Sequence, residues 1–239
     1  MKYIIKDFFS FLLKPKVDTG TQKKSLILKE NIYLFLFSLL ISLIGAILTT
    51  VFLVFNLVET STERYYQEIP FISTNLVFGI NYLLLPIIEE LNFRLYLRFT
   101  PLNLSVSITI FCYYLISLLL ESSYYTIDHI FWIKIAICSL ILLFLYFIFR
   151  NNLLKGNLEN AWKKNIRIVY YISILIFAYF HITKYTITPS SILLSPIILS
   201  PQLFFGTLLG YVRIKYGFFW CILQHLIFNM VTVLPGIMM

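Results

Sequence analysis

The sequence predicts an all-α, polytopic transmembrane helix bundle of about seven spans with its N-terminus on the cytoplasmic side. Three observations carry this expectation. Of 239 residues, 59% are hydrophobic and 13% charged, a balance that leaves a soluble domain too little polar surface to cover itself. Several apolar runs reach the roughly 20 residues that a helix needs to cross about 30 Å of hydrocarbon. Runs such as 32–57 and 131–149 are apolar on every face, whereas barrel strands would alternate.

The first 31 residues hold seven lysines and form a basic cytoplasmic or interfacial segment, expected to be uncleaved because the following apolar run exceeds a signal-peptide core. Within it Ile4, Ile5, Phe8, Phe9, Leu12 and Leu13 recur at helical spacing opposite Lys2, Lys6, Ser10 and Lys14. That pattern predicts a helix lying on the membrane surface. Residues 32–239 then read as one transmembrane domain, with spans near 32–57, 71–99, 104–120, 130–149, 168–182, 197–212 and 218–234.

Alternating charge supports the count. Arg94 and Arg98, then Arg150, Lys155, Lys163, Lys164 and Arg167, then Arg213 and Lys215 fall on alternate connections, as cytoplasmic loops require. The opposite connections carry Glu59, Glu63 and Glu68 against Arg64, then Glu121 and Asp128, then Lys184. Trp132 and Trp220 mark span ends. Pro189, Pro196 and Pro201 interrupt the run into the sixth span, so an irregular or re-entrant approach, and a six-span count, stay open there. Gly206 and Gly210 within that span are read as close helix packing. Cys112, Cys138 and Cys221 lie far apart in apolar segments and are read as inert packing residues.

The net charge of +8 sits mostly between spans, which argues against a nucleic-acid-binding face. The chemistry is expected inside the spans, where an ionisable side chain costs at least about 2.5 kcal/mol on insertion scales. Glu89 and Glu90 are adjacent in such a span. Arg94 follows Glu90 by four residues and shares its helical face, so those two can pair. Glu89 is turned about 140° from Arg94, which leaves it free to take a proton from water as a general base. His181 and His225 are polar intrusions in the fifth and seventh spans, and Asn229 lies one turn after His225. By rise along the helices these groups fall at similar depths, where only a water-filled cavity would hydrate them.

These residues are arranged as Glu89-Glu90-Leu-Asn-Phe-Arg94, Phe177-Ala-Tyr-Phe-His181 and His225-Leu-Ile-Phe-Asn229. In that order the chain resembles the CAAX-protease and bacteriocin-processing (CPBP, or Abi) family of intramembrane peptidases, which includes the type II CAAX prenyl endopeptidases. The resemblance implies a glutamate-dependent hydrolase in which Glu89 and His181 activate water and His225 and Asn229 stabilise the oxyanion. It gives Glu90 and Arg94 a supporting part and sets Phe177 beside His181. It is carried by motifs across the span region, and Leu95 stands where a Gly is frequent.

The expected activity is endopeptidase cleavage of a membrane-associated peptide or protein, in a multi-pass protein of the cell membrane whose partners are its substrate and the lipid bilayer. No cofactor is expected, since Glu89 can act directly as base and there is no HExxH. A divalent metal such as zinc would instead fall to Glu89, His181 and His225. Two alternatives need the same polar residues: a proton-coupled transporter, and a non-catalytic scaffold that regulates another membrane protein.

Overall fold

A computed structural model describes residues 2–17, 24–61, 83–124 and 127–237. The helices are α1 (Lys2–Leu13), α2 (Lys24–Val54), α3 (Leu85–Phe93), α4 (Pro101–Leu119), α5 (His129–Arg150), α6 (Asn152–Lys164), α7 (Ile166–Phe180), α8 (Pro189–Leu193), α9 (Ser195–Ile198), α10 (Ser200–Lys215) and α11 (Phe218–Ile237). Single 3-10 turns follow α3, at Leu95–Leu97, and α7, at His181–Lys184. Among the described residues there is no strand, only an isolated antiparallel bridge between Thr60 and Tyr185.

Four helical stretches are long and apolar enough to cross a membrane: Leu26–Val54, Pro101–Leu119, His129–Arg150 and Ile166–Lys184. They match the first, third, fourth and fifth expected spans. Local chemistry sets their starts. Thr100 Oγ1 accepts from the Asn103 amide at 3.0 Å, with Pro101 in the first turn where its missing N–H costs nothing. Asp128 Oδ1 accepts from the Phe131 amide at 2.7 Å.

The second expected span falls partly on 71–82, outside the described residues. Its described part, α3, ends at Phe93 rather than at residue 99, because the chain tightens into the 3-10 turn. The prolines act on the sixth span as expected. Two short helices, α8 and α9, precede α10, with Pro189, Pro196 and Pro201 each in a first turn. A helix not foreseen is α6, read in the sequence as a loop. Asn151 caps it, and Lys163 pairs with Glu159 at 2.8 Å one turn away.

α10 is the centre of the bundle, buried from Phe205 to Ile214 except at Thr207 and packed by α2, α7 and α11. Because lipid is as apolar as leucine, helix association here relies on close packing and interhelical hydrogen bonds. Gly206 and Gly210 supply the packing: a Cβ at Gly206 would lie 2.9 Å from the Phe177 ring, and one at Gly210 2.8 Å from Tyr170, both on α7. Tyr170 Oη donates to the Thr207 carbonyl at 2.6 Å, Ser173 Oγ to the Phe93 carbonyl at 2.5 Å and Ser107 Oγ to the Leu91 carbonyl at 2.6 Å. Gln224 Nε2 donates to Asn31 Oδ1 at 2.8 Å, joining α11 to α2.

The cations expected on the cytoplasmic side gather at one end of the bundle. Arg213 donates to the carbonyls of Arg94 and Leu95 at 3.1 and 2.8 Å, and Arg98 Nη2 to that of Ile214 at 2.5 Å. Trp162 of α6 donates to the Tyr96 carbonyl at 2.9 Å. The helix α1 docks at the same end, so its apolar face meets protein: Phe8 is fully buried among Phe37, Phe204 and Tyr211. Its Asp7 accepts from Tyr211 Oη at 2.5 Å and from Lys215 Nζ. Partial burial pushes the Asp7 carboxyl up, but the Lys215 and Tyr211 hydrogen bonds and the charges of Lys215 and Lys16 outweigh it and hold the group below its ordinary value. At the far end, the segment after α2 meets the segment after α7: the Ser61 amide donates to the Lys184 carbonyl and the Thr186 amide to the Glu59 carbonyl, both at 2.9 Å. α2 and α7 therefore run in the same direction.

Candidate active site

Three segments carry the expected polar residues: α3 holds Glu89 and Glu90, α11 holds His225 and Asn229, and Phe177 lies in the last turn of α7 with His181 just beyond its end. Contacts join Glu89, Glu90, Arg94 and His225 directly, and His181 through the Phe177 ring. α10 forms the floor.

Glu90 is fully buried, and each of its oxygens has a partner. Oε1 accepts from His225 Nδ1 at 2.8 Å and lies 3.5 Å from Arg94 Nη1, the four-residue pairing the spacing predicts. Oε2 accepts from the Cys221 thiol at 2.7 Å. Cys221 was expected to be inert packing; it is instead a donor to the site, one turn before His225 on α11. The four-residue spacing that puts Cys221 on the same helical face as His225 and Asn229 was the available signal.

Arg94 is also fully buried. Its guanidinium stacks on Phe177, with Cζ 3.7 Å from the ring centroid, a contact worth about 2 kcal/mol when desolvated. Gly206 makes the space: a Cβ there would lie 3.0 Å from Arg94 Nη2. No hydrogen bond reaches the three guanidinium nitrogens among the described residues. The Glu90 charge and the Phe177 face are what compensate this buried cation.

Glu89 differs. Its side chain is 27% exposed, and its Oε2 lies 3.5 Å from His225 Nε2. The free carboxylate expected from the sequence thus has a neighbour, and His225 stands between the two acids with one nitrogen toward each. Phe205 and Phe177 hold that imidazole edge-on, with ring centroids 5.2 and 6.1 Å away.

His181 sits where α7 gives way to the 3-10 turn, not within a continuous helix. Its ring is 4.9 Å from that of Phe177, and its Nδ1 donates to the Phe177 carbonyl at 2.9 Å. A carbonyl only accepts, so Nδ1 carries a proton, and in the neutral tautomer Nε2 is the acceptor nitrogen. Asn229 is half-buried on the turn after His225. Two residues not singled out as site members also stand near Glu89. Lys184, three residues after His181, and Tyr114 of α4 both lie within electrostatic reach of its carboxylate. The three-residue spacing from His181 was the available signal for Lys184.

The trio Glu89, His181 and His225 was the candidate ligand set for a divalent metal. Among the described residues no three His, Cys, Asp or Glu side chains are grouped to hold an ion.

Comparison with known proteins finds no matching family model, no match among curated proteins and none among solved structures.

Proposed function

We propose that this chain is a seven-span protein of the cell membrane, its N-terminus cytoplasmic, that hydrolyses a peptide bond in a membrane-associated peptide or protein. One observation carries the reading. Two adjacent intramembrane glutamates share a single imidazole, yet one is sealed and fully partnered while the other keeps an open face. A structural ion pair needs only the first. The motif-level resemblance to the CPBP peptidases supports the same reading.

In the proposed reaction Glu89 takes a proton from a water molecule as the oxygen attacks the carbonyl carbon. His181 Nε2 is the second acceptor that orients this water. The oxyanion that forms needs a donor, and the Asn229 amide supplies one. Collapse breaks the C–N bond, and Glu89 returns the proton to the leaving nitrogen. The resemblance gives His225 the oxyanion together with Asn229. Its contacts with both acids favour a further task, fixing the Glu89 carboxylate while Glu90 and Arg94 fix His225 in turn.

The test compares membrane and secreted peptidomes, by mass spectrometry, of cells expressing wild type or Glu89→Gln. Fragments made by wild type should fall by about 10²- to 10⁴-fold in the variant, the usual contribution of a general base. Identical peptidomes from a folded and equally abundant variant would sink the peptidase reading. A regulatory scaffold would keep its function with Gln at this position.

A further inference from the structure

At the cationic end of the bundle, α1 and the last turn of α10 enclose a cavity of about 540 Å³. It shares no residue with the acid–imidazole cluster. Lys14, Lys16 and Lys215 line it against one acid, Asp7. Asp7 is already engaged by Lys215 and Tyr211, whereas no salt bridge or side-chain hydrogen bond occupies the Lys14 and Lys16 ammonium groups among the described residues. The lining therefore carries two cations in excess, and Lys14 and Lys16 stand exposed at its rim. Apolar side chains share that rim: Tyr3 and Leu13 also line the cavity and are 71% and 73% exposed.

A soluble anion would use only the lysines. Exposed lysines beside exposed apolar side chains, set where membrane-crossing helices end, match an amphiphile whose headgroup is anionic. We propose that this groove binds the phosphate headgroup of an anionic lipid, with Lys14 and Lys16 on the phosphate and Tyr3 and Leu13 against the acyl chains. Bound there, the lipid would bridge α1 to the segment that follows it and hold α1 on α10. The site stands whether or not the chain hydrolyses peptides.

Two measurements on the full chain test this. Thermal unfolding is followed in phosphatidylcholine nanodiscs with and without phosphatidylglycerol, and retained lipid is counted by native mass spectrometry from mild detergent. Phosphatidylglycerol should raise the midpoint and remain bound. The exposed double variant Lys14→Gln/Lys16→Gln should lose retention on the order of ten-fold or more. Lys155→Gln/Lys164→Gln, the same charge change on α6, should lose none. Equal losses in both variants would mean attraction to net charge alone and overturn the site. An equal rise in midpoint with inorganic phosphate in phosphatidylcholine nanodiscs would overturn the lipid as ligand and leave a soluble anion in its place.

Discussion

Glu89 and Glu90 are chemically identical neighbours, and their surroundings alone separate them. Glu90 faces inward, where the His225 imidazole, the Arg94 guanidinium and the Cys221 thiol meet its two oxygens. Each of those contacts can be tested by what its loss leaves behind, and Cys221 is the cleanest case because it is fully buried and carries no charge. Cys221→Ala removes the donor to Glu90 Oε2 and leaves a buried carboxylate oxygen unpaired, which costs about 1–3 kcal/mol. The variant should unfold at lower temperature in detergent, and Cys221→Ser, which restores a donor, should recover most of the loss. Equal midpoints for Ala and wild type would show that the thiol only fills space. The Glu90–Arg94 pair was legible, because four residues on a helix is a distance. The imidazole between two acids and the aromatic shelf under Arg94 were not, because contacts between α3, α7, α10 and α11 have no fixed spacing in sequence.

The elements were legible to the extent that lipid sets their chemistry. Four spans stand out by length and apolarity, and their caps at Thr100 and Asp128 are ordinary polar side chains before apolar runs. α10 was the least certain span because Pro189, Pro196 and Pro201 interrupt the run into it. From Phe205 to Ile214 it is mostly buried in protein, so its sequence there obeys packing rather than lipid. Its two glycines show which requirement governs. Gly206→Ala would drive a methyl into Phe177 and toward the Arg94 guanidinium, with an overpacking cost of about 1–3 kcal/mol. Gly156 on exposed α6 has nothing within 4 Å of a new Cβ, so Gly156→Ala should stabilise by about 0.4–1 kcal/mol through helix propensity and a less flexible unfolded chain. Unfolding midpoints of opposite sign for the same chemical change would tie the cost at Gly206 to packing. A neutral Gly206→Ala would mean that α7 and α10 are not in close contact.

At the scale of the whole molecule, charge and connectivity give one answer by separate routes. The sequence places Arg94, Arg98, Arg213 and Lys215 on the same side because they fall on alternate connections. The fold joins those segments directly, through Arg213 to the carbonyls of Arg94 and Leu95, Arg98 to that of Ile214 and Lys215 to Asp7 of α1. The ends of α2 and α7 meet at the opposite pole, where an odd-numbered pair of spans should both emerge. If membrane insertion follows the cationic pole, then α1 and α6 face the cytoplasm and the connection between α4 and α5 faces outward. A single cysteine placed at Asn157 of α6 in a cysteine-free background should then resist a membrane-impermeant maleimide in intact cells and react after lysis. One placed at Ile127 in the α4–α5 connection, a residue 72% exposed, should react in both. The reverse pattern would invert the topology while leaving the fold intact. Labelling of both sites in intact cells would break the alternation, and with it the placement of α4, α5 and α7 as successive crossings.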